Sequence, residues 1–178
     1  WCRADMVAPL SLEHGVQLVA GGRRRQDSVF NGLAAVGASD GTVMIHDAVR
    51  PFVRLSLMNA CLAGVKDTGG CIPAIPATDT LIKVDANGVI VGTLNRQQIR
   101  LAQTPQTFSL DLIRCAHQSA AQRGFTATDD ASIAEFAGER VTVVPGDPDN
   151  IKITTPADLS IARGIFARWH AKSPGKPI

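Results

Sequence analysis

His46-Asp47-Ala48-Val49-Arg50-Pro51 follows the apolar run Val43-Met44-Ile45. A short β-branched and apolar run that stops at charged residues and a proline reads as a buried strand of a parallel sheet, ending at its carboxyl edge. Ligands of open α/β sheets bind outside that edge. Asp47 and Arg50 are therefore placed where a ligand would sit. A carboxylate accepts from ribose hydroxyls or holds the water shell of a metal, and a guanidinium forks onto phosphate oxygens. The competing reading is a strand-end pair that salt-bridges to itself or caps the next turn. His46 has a base's chemistry, but a histidine at a strand end reads first as structural.

Outward from this stretch, strands and helices alternate. Val16-Gln17-Leu18-Val19 is a strand candidate, broken by Gly21-Gly22 and followed by Arg23-Arg24-Arg25. Asp27 or Ser28 can cap a helix carrying Val29, Leu33 and Val36, ended by Gly37. Ser56 can cap a helix over Leu57 to Val65. Cys71 to Ile75 is a further strand, where Pro73 and Pro76 suggest an edge or a bulge. Ser109 opens a helix over Leu110 to Gln122. Asp129 or Asp130 starts another, stopped by Gly138. Val141 to Val144 is a strand. Thr155-Pro156 opens the last helix. The pattern predicts an α/β domain over residues 1–171, mostly parallel, with a tail or linker over 172–178.

One segment departs from the alternation. Thr80-Leu81-Ile82-Lys83-Val84 and Val89-Ile90-Val91 flank Asp85-Ala86-Asn87-Gly88, and Asn-Gly between β-rich runs marks a hairpin. The arm, about residues 78–100, projects from the sheet. A lone hairpin is marginal in water, so this one calls for a packing partner such as a second subunit.

Composition narrows the function classes. The chain has 178 residues, 45 % of them hydrophobic and 19 % charged, an ordinary balance for one globular domain. A net charge of +2 gives no global field for nucleic acid. No apolar run approaches the ~20 residues of a membrane span. Cys2, Cys61, Cys71 and Cys115 form no C-x-x-C pair, which points to reduced thiols and the cytoplasm. The chain opens at Trp1-Cys2-Arg3 without an initiator methionine and reads as a fragment of a longer protein.

The residues with chemistry to offer cluster in a few turns. Gly22, Arg25, Asp27 and Ser28 lie where a strand gives way to a helix, a place that suits an anion. A capped helix with solvated arginines explains the same residues. Lys152 sits in the otherwise apolar Ile151-Lys152-Ile153. An ammonium there meets a carboxylate or points into a site and meets a phosphate. Thr80, Arg96, Thr104 and Thr128 add hydroxyls and one more cation, each also explicable as a turn or cap residue. No G-x-S-x-G, H-E-x-x-H or C-x-x-C motif supplies a nucleophile or a metal. That favours chemistry by positioning and charge neutralisation, the logic of phosphoryl and nucleotidyl transfer.

Taken in order, Gly21-Gly22, Arg25-Gln26-Asp27-Ser28-Val29, His46 to Phe52, Thr78 to Lys83, Gln103 to Phe108, Thr128 to Ala131 and Asn150 to Thr154 closely resemble the 2-C-methyl-D-erythritol 4-phosphate cytidylyltransferase family. The resemblance covers nearly all of residues 15 to 165, and the ordered set is far more specific than any one motif. It implies a Rossmann-like nucleotidyltransferase sheet flanked by helices. It implies transfer of CMP from CTP to methylerythritol phosphate with release of pyrophosphate, assisted by magnesium, in isoprenoid precursor synthesis. Carried over by motif, Gly22 and Ser28 contact the cytosine, and Asp47 lies near the ribose and the metal. Arg50, Thr80, Arg96, Thr104, Thr128 and Lys152 surround the sugar phosphate, and Lys152 also neutralises the α-phosphate. The arm crosses to a partner subunit in a homodimer, so Thr80 and Arg96 serve the neighbour's site.

The family also begins with a strand and a glycine-rich loop that wraps the triphosphate, and nothing in residues 1 to 20 matches it. The expectation is that the first strands and this loop are missing and that the chain by itself does not turn over CTP. Two other readings fit the residues: a ribitol- or other polyol-phosphate cytidylyltransferase, and a non-catalytic remnant that dimerises through the arm. Some members continue into a cyclodiphosphate synthase domain, for which Lys172 to Ile178 would be the linker.

Overall fold

The computed structural model describes residues 16–172; the opening stretch with Cys2 and the tail beyond Lys172 lie outside the described residues. Strand β1 (Thr42–Ile45) pairs antiparallel with β6 (Gln106–Ser109), Val43 standing opposite Phe108. Strand β2 (Gly70–Pro76) is central. On one side it runs antiparallel to β6 at Gly70 and Cys71 and to β5 (Arg100–Ala102) from Ala74 to Pro76. On the other it runs parallel to β7 (Thr142–Pro145). Strands β3 (Leu81–Val84) and β4 (Ile90–Leu94) form a separate two-stranded sheet, the expected arm.

Four expectations are corrected here. The described sheet is mostly antiparallel, because β6, which sequence periodicity did not mark as a strand, separates β1 from β2. For the same reason β1 is half-buried against an antiparallel neighbour rather than sealed inside a parallel sheet. The prolines of β2 do not mark an edge. The carbonyl of Pro73 accepts from the Gln103 N–H at 2.8 Å, at the break between β5 and β6. A residue's N–H and C=O point to the same side of a strand, so the donor that proline lacks falls at a gap in the ladder. Finally, residues 16–20 form no strand. Val16, Leu18 and Val19 are each more than 40 % exposed, and among the described residues no segment lies alongside to complete a ladder.

Helix α1 (Arg25–Ala35) starts two residues before the expected caps. Asp27 sits inside the first turn, and its carboxylate accepts from the Arg24 backbone N–H at 3.1 Å. Helix α2 (Leu55–Thr68) ends at Gly69, whose φ of 77° lets its N–H return to the Val65 carbonyl at 2.7 Å. Helix α3 spans Leu110–Gln122 and α4 spans Asp130–Phe136, with Asp129 as the N-cap of α4, its carboxylate accepting from the Ser132 N–H. Helix α5 runs Pro156–Lys172, one residue into the expected tail. The Asp158 carboxylate accepts from the Thr154 and Thr155 N–H groups at its start.

The main core joins Ile72 and Phe108 of the sheet to Leu33 of α1, Ile113 and Ala116 of α3, and Ile133 of α4. Each large side chain sealed in this way contributes about 1.5–3 kcal/mol relative to exposure. The opposite face of the sheet packs Cys71 and Val144 against Cys61 and Val65 of α2. Cys61 and Cys71 are free thiols, and burial together with the Cys61 neighbour pushes Cys71 up to about 11. A third cluster, Phe52 with Ala162 and Ile165, fixes α5 beside the loop that carries Lys152.

Candidate active site

The carboxyl end of β1 is the centre of the site. The chain turns there through Asp47–Arg50, closed by the Arg50 N–H on the Asp47 carbonyl at 2.9 Å. Thr104, at the bend between β5 and β6, locks the turn from below. Its Oγ1 accepts from the Asp47 N–H at 3.0 Å and stands 2.9 Å from Nδ1 of His46. Nε2 of His46 lies 2.9 Å from the Arg50 carbonyl, an acceptor, so Nε2 carries the hydrogen and Nδ1 accepts from Thr104. Both ring nitrogens are thus used in building the turn, and the structural reading of His46 holds.

Three cations surround the Asp47 carboxylate. Oδ1 accepts from Arg25 Nε at 2.9 Å, Oδ2 lies 3.2 Å from Lys152 Nζ, and Arg50 Nε stands 3.8 Å from Oδ2. Burial pushes the Asp47 carboxyl up, but the bonds from Arg25 and Lys152 outweigh it and hold it below the usual aspartate range. Burial draws the Arg50 guanidinium down, only partly offset by Asp47. Arg50 Nη1 donates to the Asn150 carbonyl at 2.8 Å, while its Nε is buried without a hydrogen-bond partner. Lys152 keeps 46 % of its side chain exposed. It does meet a carboxylate, as one of its two readings required, and it remains open to solvent.

Distant parts of the chain aim Lys152. The Ile153 N–H donates to the Val49 carbonyl at 2.9 Å, which ties the lysine segment to the Asp47 turn. Asn150 is fully buried and donates to the Thr104 carbonyl at 2.8 Å. Gln103 clamps Asp147 by accepting from its N–H and donating to its carbonyl. Arg54 bonds both Asp147 and Asp149 at 2.9 Å and lies over the Trp169 ring. None of these residues carries a local sequence signal of its role, because each acts on a partner tens of residues away.

Beside Asp47 lies a cavity of about 590 Å³ lined by Gly21, Gly22, Arg25, Ser28, His46 and Asp47. The Gly22 N–H donates to Ser28 Oγ at 3.0 Å, folding the turn onto the first helix. A Cβ on Gly22 would stand only 2.2 Å from Asp27 Cβ, so only glycine fits. Gly22, Ser28 and Asp47 thus share one cavity, and Asp47, Arg50, Thr104 and Lys152 share one hydrogen-bond and ion-pair network. Thr128 lies just before the α4 cap, exposed. Thr80 and Arg96 are elsewhere, at the base of the arm. Arg96 donates to the Thr78 carbonyl, and among the described residues no hydrogen bond or ion pair joins Thr80 or Arg96 to the Asp47 cluster.

Comparison with known proteins places this geometry. The family model described as 2-C-methyl-D-erythritol 4-phosphate cytidylyltransferase matches residues 2–168. A protein of that name from Geotalea uraniireducens is 46 % identical over 168 residues, covering 93 % of this chain and 72 % of the relative. Among solved structures, 4-diphosphocytidyl-2C-methyl-D-erythritol synthase from Anaerococcus prevotii superposes with a TM-score of 0.84 at 31 % identity, covering 92 % of this chain and 77 % of that one. The Thermus thermophilus cytidylyltransferase gives 0.74 at 38 % identity, covering 83 % and 71 %. The chain belongs to the 2-C-methyl-D-erythritol 4-phosphate cytidylyltransferase family, the enzymes of isoprenoid synthesis that its ordered motifs resemble.

Proposed function

We propose that this chain supplies the cytosine-facing turn and the phosphate-facing cations for transfer of CMP from CTP to methylerythritol phosphate. One observation carries the assignment of roles: a single carboxylate, Asp47, faces three cations at the rim of the cavity, and one of them, Lys152, is half exposed. The net positive charge suits two phosphate groups brought together. An oxygen of the sugar phosphate attacks the α-phosphorus of CTP. The bond from that phosphorus to the β-phosphate oxygen breaks, and pyrophosphate leaves with its electron pair. Lys152 exchanges Asp47 for an α-phosphate oxygen as charge builds there, and Arg50 offers its unpartnered Nε to the sugar phosphate. Gly22 and Ser28 floor the cytosine, and Thr104 acts by holding the Asp47 turn.

Magnesium suits this site in one way only. Among the described residues no three carboxylate, histidine or cysteine side chains converge, and Asp47 is the carboxylate lining the cavity that would hold the ion's water shell. Bound so, the ion would neutralise phosphate charge. The arm supports a homodimer: Ile82, Val89, Ile90 and Val91 are 50–60 % exposed on a two-stranded sheet that is separate, among the described residues, from the main sheet. Thr80 and Arg96 would then complete the neighbour's site. No helix among the described residues is long and apolar enough to cross a membrane, and Cys61, Cys71 and Cys115 are free thiols, which supports the cytoplasm as the compartment.

The test is pyrophosphate release from CTP with methylerythritol phosphate and magnesium. It is measured on the chain as given and on the chain joined behind the family's glycine-rich loop segment. The joined protein is expected to release pyrophosphate, and its failure to do so while folded would refute the reading. Release that proceeds equally well with ribitol phosphate would refute the substrate assignment.

A further inference from the structure

Behind Arg25 lies a second carboxylate that the reaction does not touch. Asp130 has no exposed surface, and its Oδ2 accepts from Arg25 Nη1 at 2.8 Å. Its other oxygen stands 3.1 Å from Nε2 of His117, itself only 1 % exposed. A buried carboxylate accepts only, so His117 Nε2 carries the hydrogen. The Asp130 N–H donates to Gln106 Oε1 at 2.9 Å, and Gln106 Nε2 donates to Asp129 at 2.8 Å. Gln106 of β6 thus holds the Asp130 backbone at the start of α4, and His117 of α3 holds its carboxylate. The Arg25 fork spans from that fixed point to the movable one: Nη1 on Asp130, Nε on Asp47.

We propose that Asp130, backed by His117, is a positioning residue for the transfer: it clamps Arg25, and Arg25 fixes the Asp47 carboxylate that faces Lys152. The proposal rests on the reading of Asp47 and Lys152 as the phosphate-facing pair. The physical reason is geometric. Asp47 sits on a four-residue turn, and its carboxylate could rotate toward any of its three cations. Arg25 takes Oδ1 and leaves Oδ2 to Lys152, because the guanidinium is planar and its far end is already held. A buried ion pair between α1 and α4 that served stability alone would need no second arm on Asp47.

The experiment reads the clamp and the reaction separately. The Arg25 Nε–H resonance is followed by NMR in the full 178-residue chain, assigned by its loss in Arg25→Lys. Kinetics are measured in whichever form releases pyrophosphate. In Asp130→Asn, which keeps the shape of the side chain, Nε–H exchange is expected about tenfold faster and kcat about tenfold lower, with KM for the sugar phosphate within about twofold. His117→Gln, which can still donate to Asp130, is expected to retain both properties. His117→Leu, which leaves Asp130 in place but strips its donor, is expected to move both in the direction of Asp130→Asn. It serves as the probe if Asp130→Asn does not fold. Unchanged Nε–H exchange in the folded variants would overturn the clamp. Faster exchange with an unchanged kcat would overturn its role in transfer. Absence of turnover in every form would count against the reaction assigned above, while the arginine signal would still decide whether Asp130 fixes Asp47.

Discussion

The Asp47 basin and the hairpin arm are built from equally short pieces of chain, yet they are held in opposite ways. At the basin, Thr104, Asn150, Gln103 and Arg54 reach in from three separate loops, and the polar groups around Asp47 are tied to the body of the protein. In the arm, β3 and β4 pair, among the described residues, only with each other, and the hydrogen bonds of the turn lie within Asp85–Val89. The basin owes its shape to contacts distant in sequence. The arm owes its shape to a turn, and its apolar side chains stand exposed among the described residues. A site that must hold charges to a fraction of an ångström needs the first kind of construction, and a contact surface can use the second.

The largest effect should come from the core that carries the basin. Phe108 is fully buried opposite Val43, so Phe108→Ala should cost about 3–5 kcal/mol in a urea titration. A loss below 1 kcal/mol would mean that β6 is not the support of β1. Next in size is Lys152→Ala, which should lower kcat by the equivalent of about 3–4 kcal/mol. Its melting temperature should hardly change, because a half-exposed pair with Asp47 adds at most about 1 kcal/mol. Near-normal turnover would remove Lys152 from the phosphate-facing set.

Deleting residues 81–94 should leave the basin folded and turn dimers into monomers by light scattering, since β3 and β4 make no ladder with the main sheet. A persistent dimer would move the interface elsewhere. The smallest effect is on acid stability. Asp47 and Asp129 are both pushed up by burial and pulled further down by their hydrogen bonds, to Arg25 and Lys152 in one case and to Ser132 and Gln106 in the other. Their unfolded forms therefore take up protons first as the pH falls. Stability from both groups is full above the ordinary aspartate value of about 4 and is lost as the pH drops through their lower folded values. Asp47→Asn should flatten that loss, and an unchanged slope would show that the pairing at Asp47 adds nothing.

The two regions also differ in how they could be read in advance. Asn87-Gly88 marks the hairpin because a turn with positive φ is a local property, and Gly88 adopts φ of 80°. Gln106-Thr107-Phe108-Ser109 carries no such mark. Its Gln106 and Thr107 are buried polar residues whose place in a strand depends on β1 and β2 lying alongside. The same holds at the site. Asp47, Arg50 and Lys152 stand out because charge at the end of an apolar run is unusual. Asn150, Gln103 and Asp130 look like ordinary loop and cap residues until the fold brings their partners to them. Val16–Val19 fails in the opposite sense: its composition suits a strand, but among the described residues it has no neighbour to pair with.

The most direct test of the transfer at Asp47 and Lys152 is phosphorus NMR of the chain joined to the glycine-rich loop segment, given CTP, methylerythritol phosphate and magnesium. The expected result is a new diphosphate linkage between cytidine and the sugar, appearing in step with free pyrophosphate and nearly abolished in Lys152→Ala. Intact CTP in the folded joined protein, or equal product from Lys152→Ala, would contradict it.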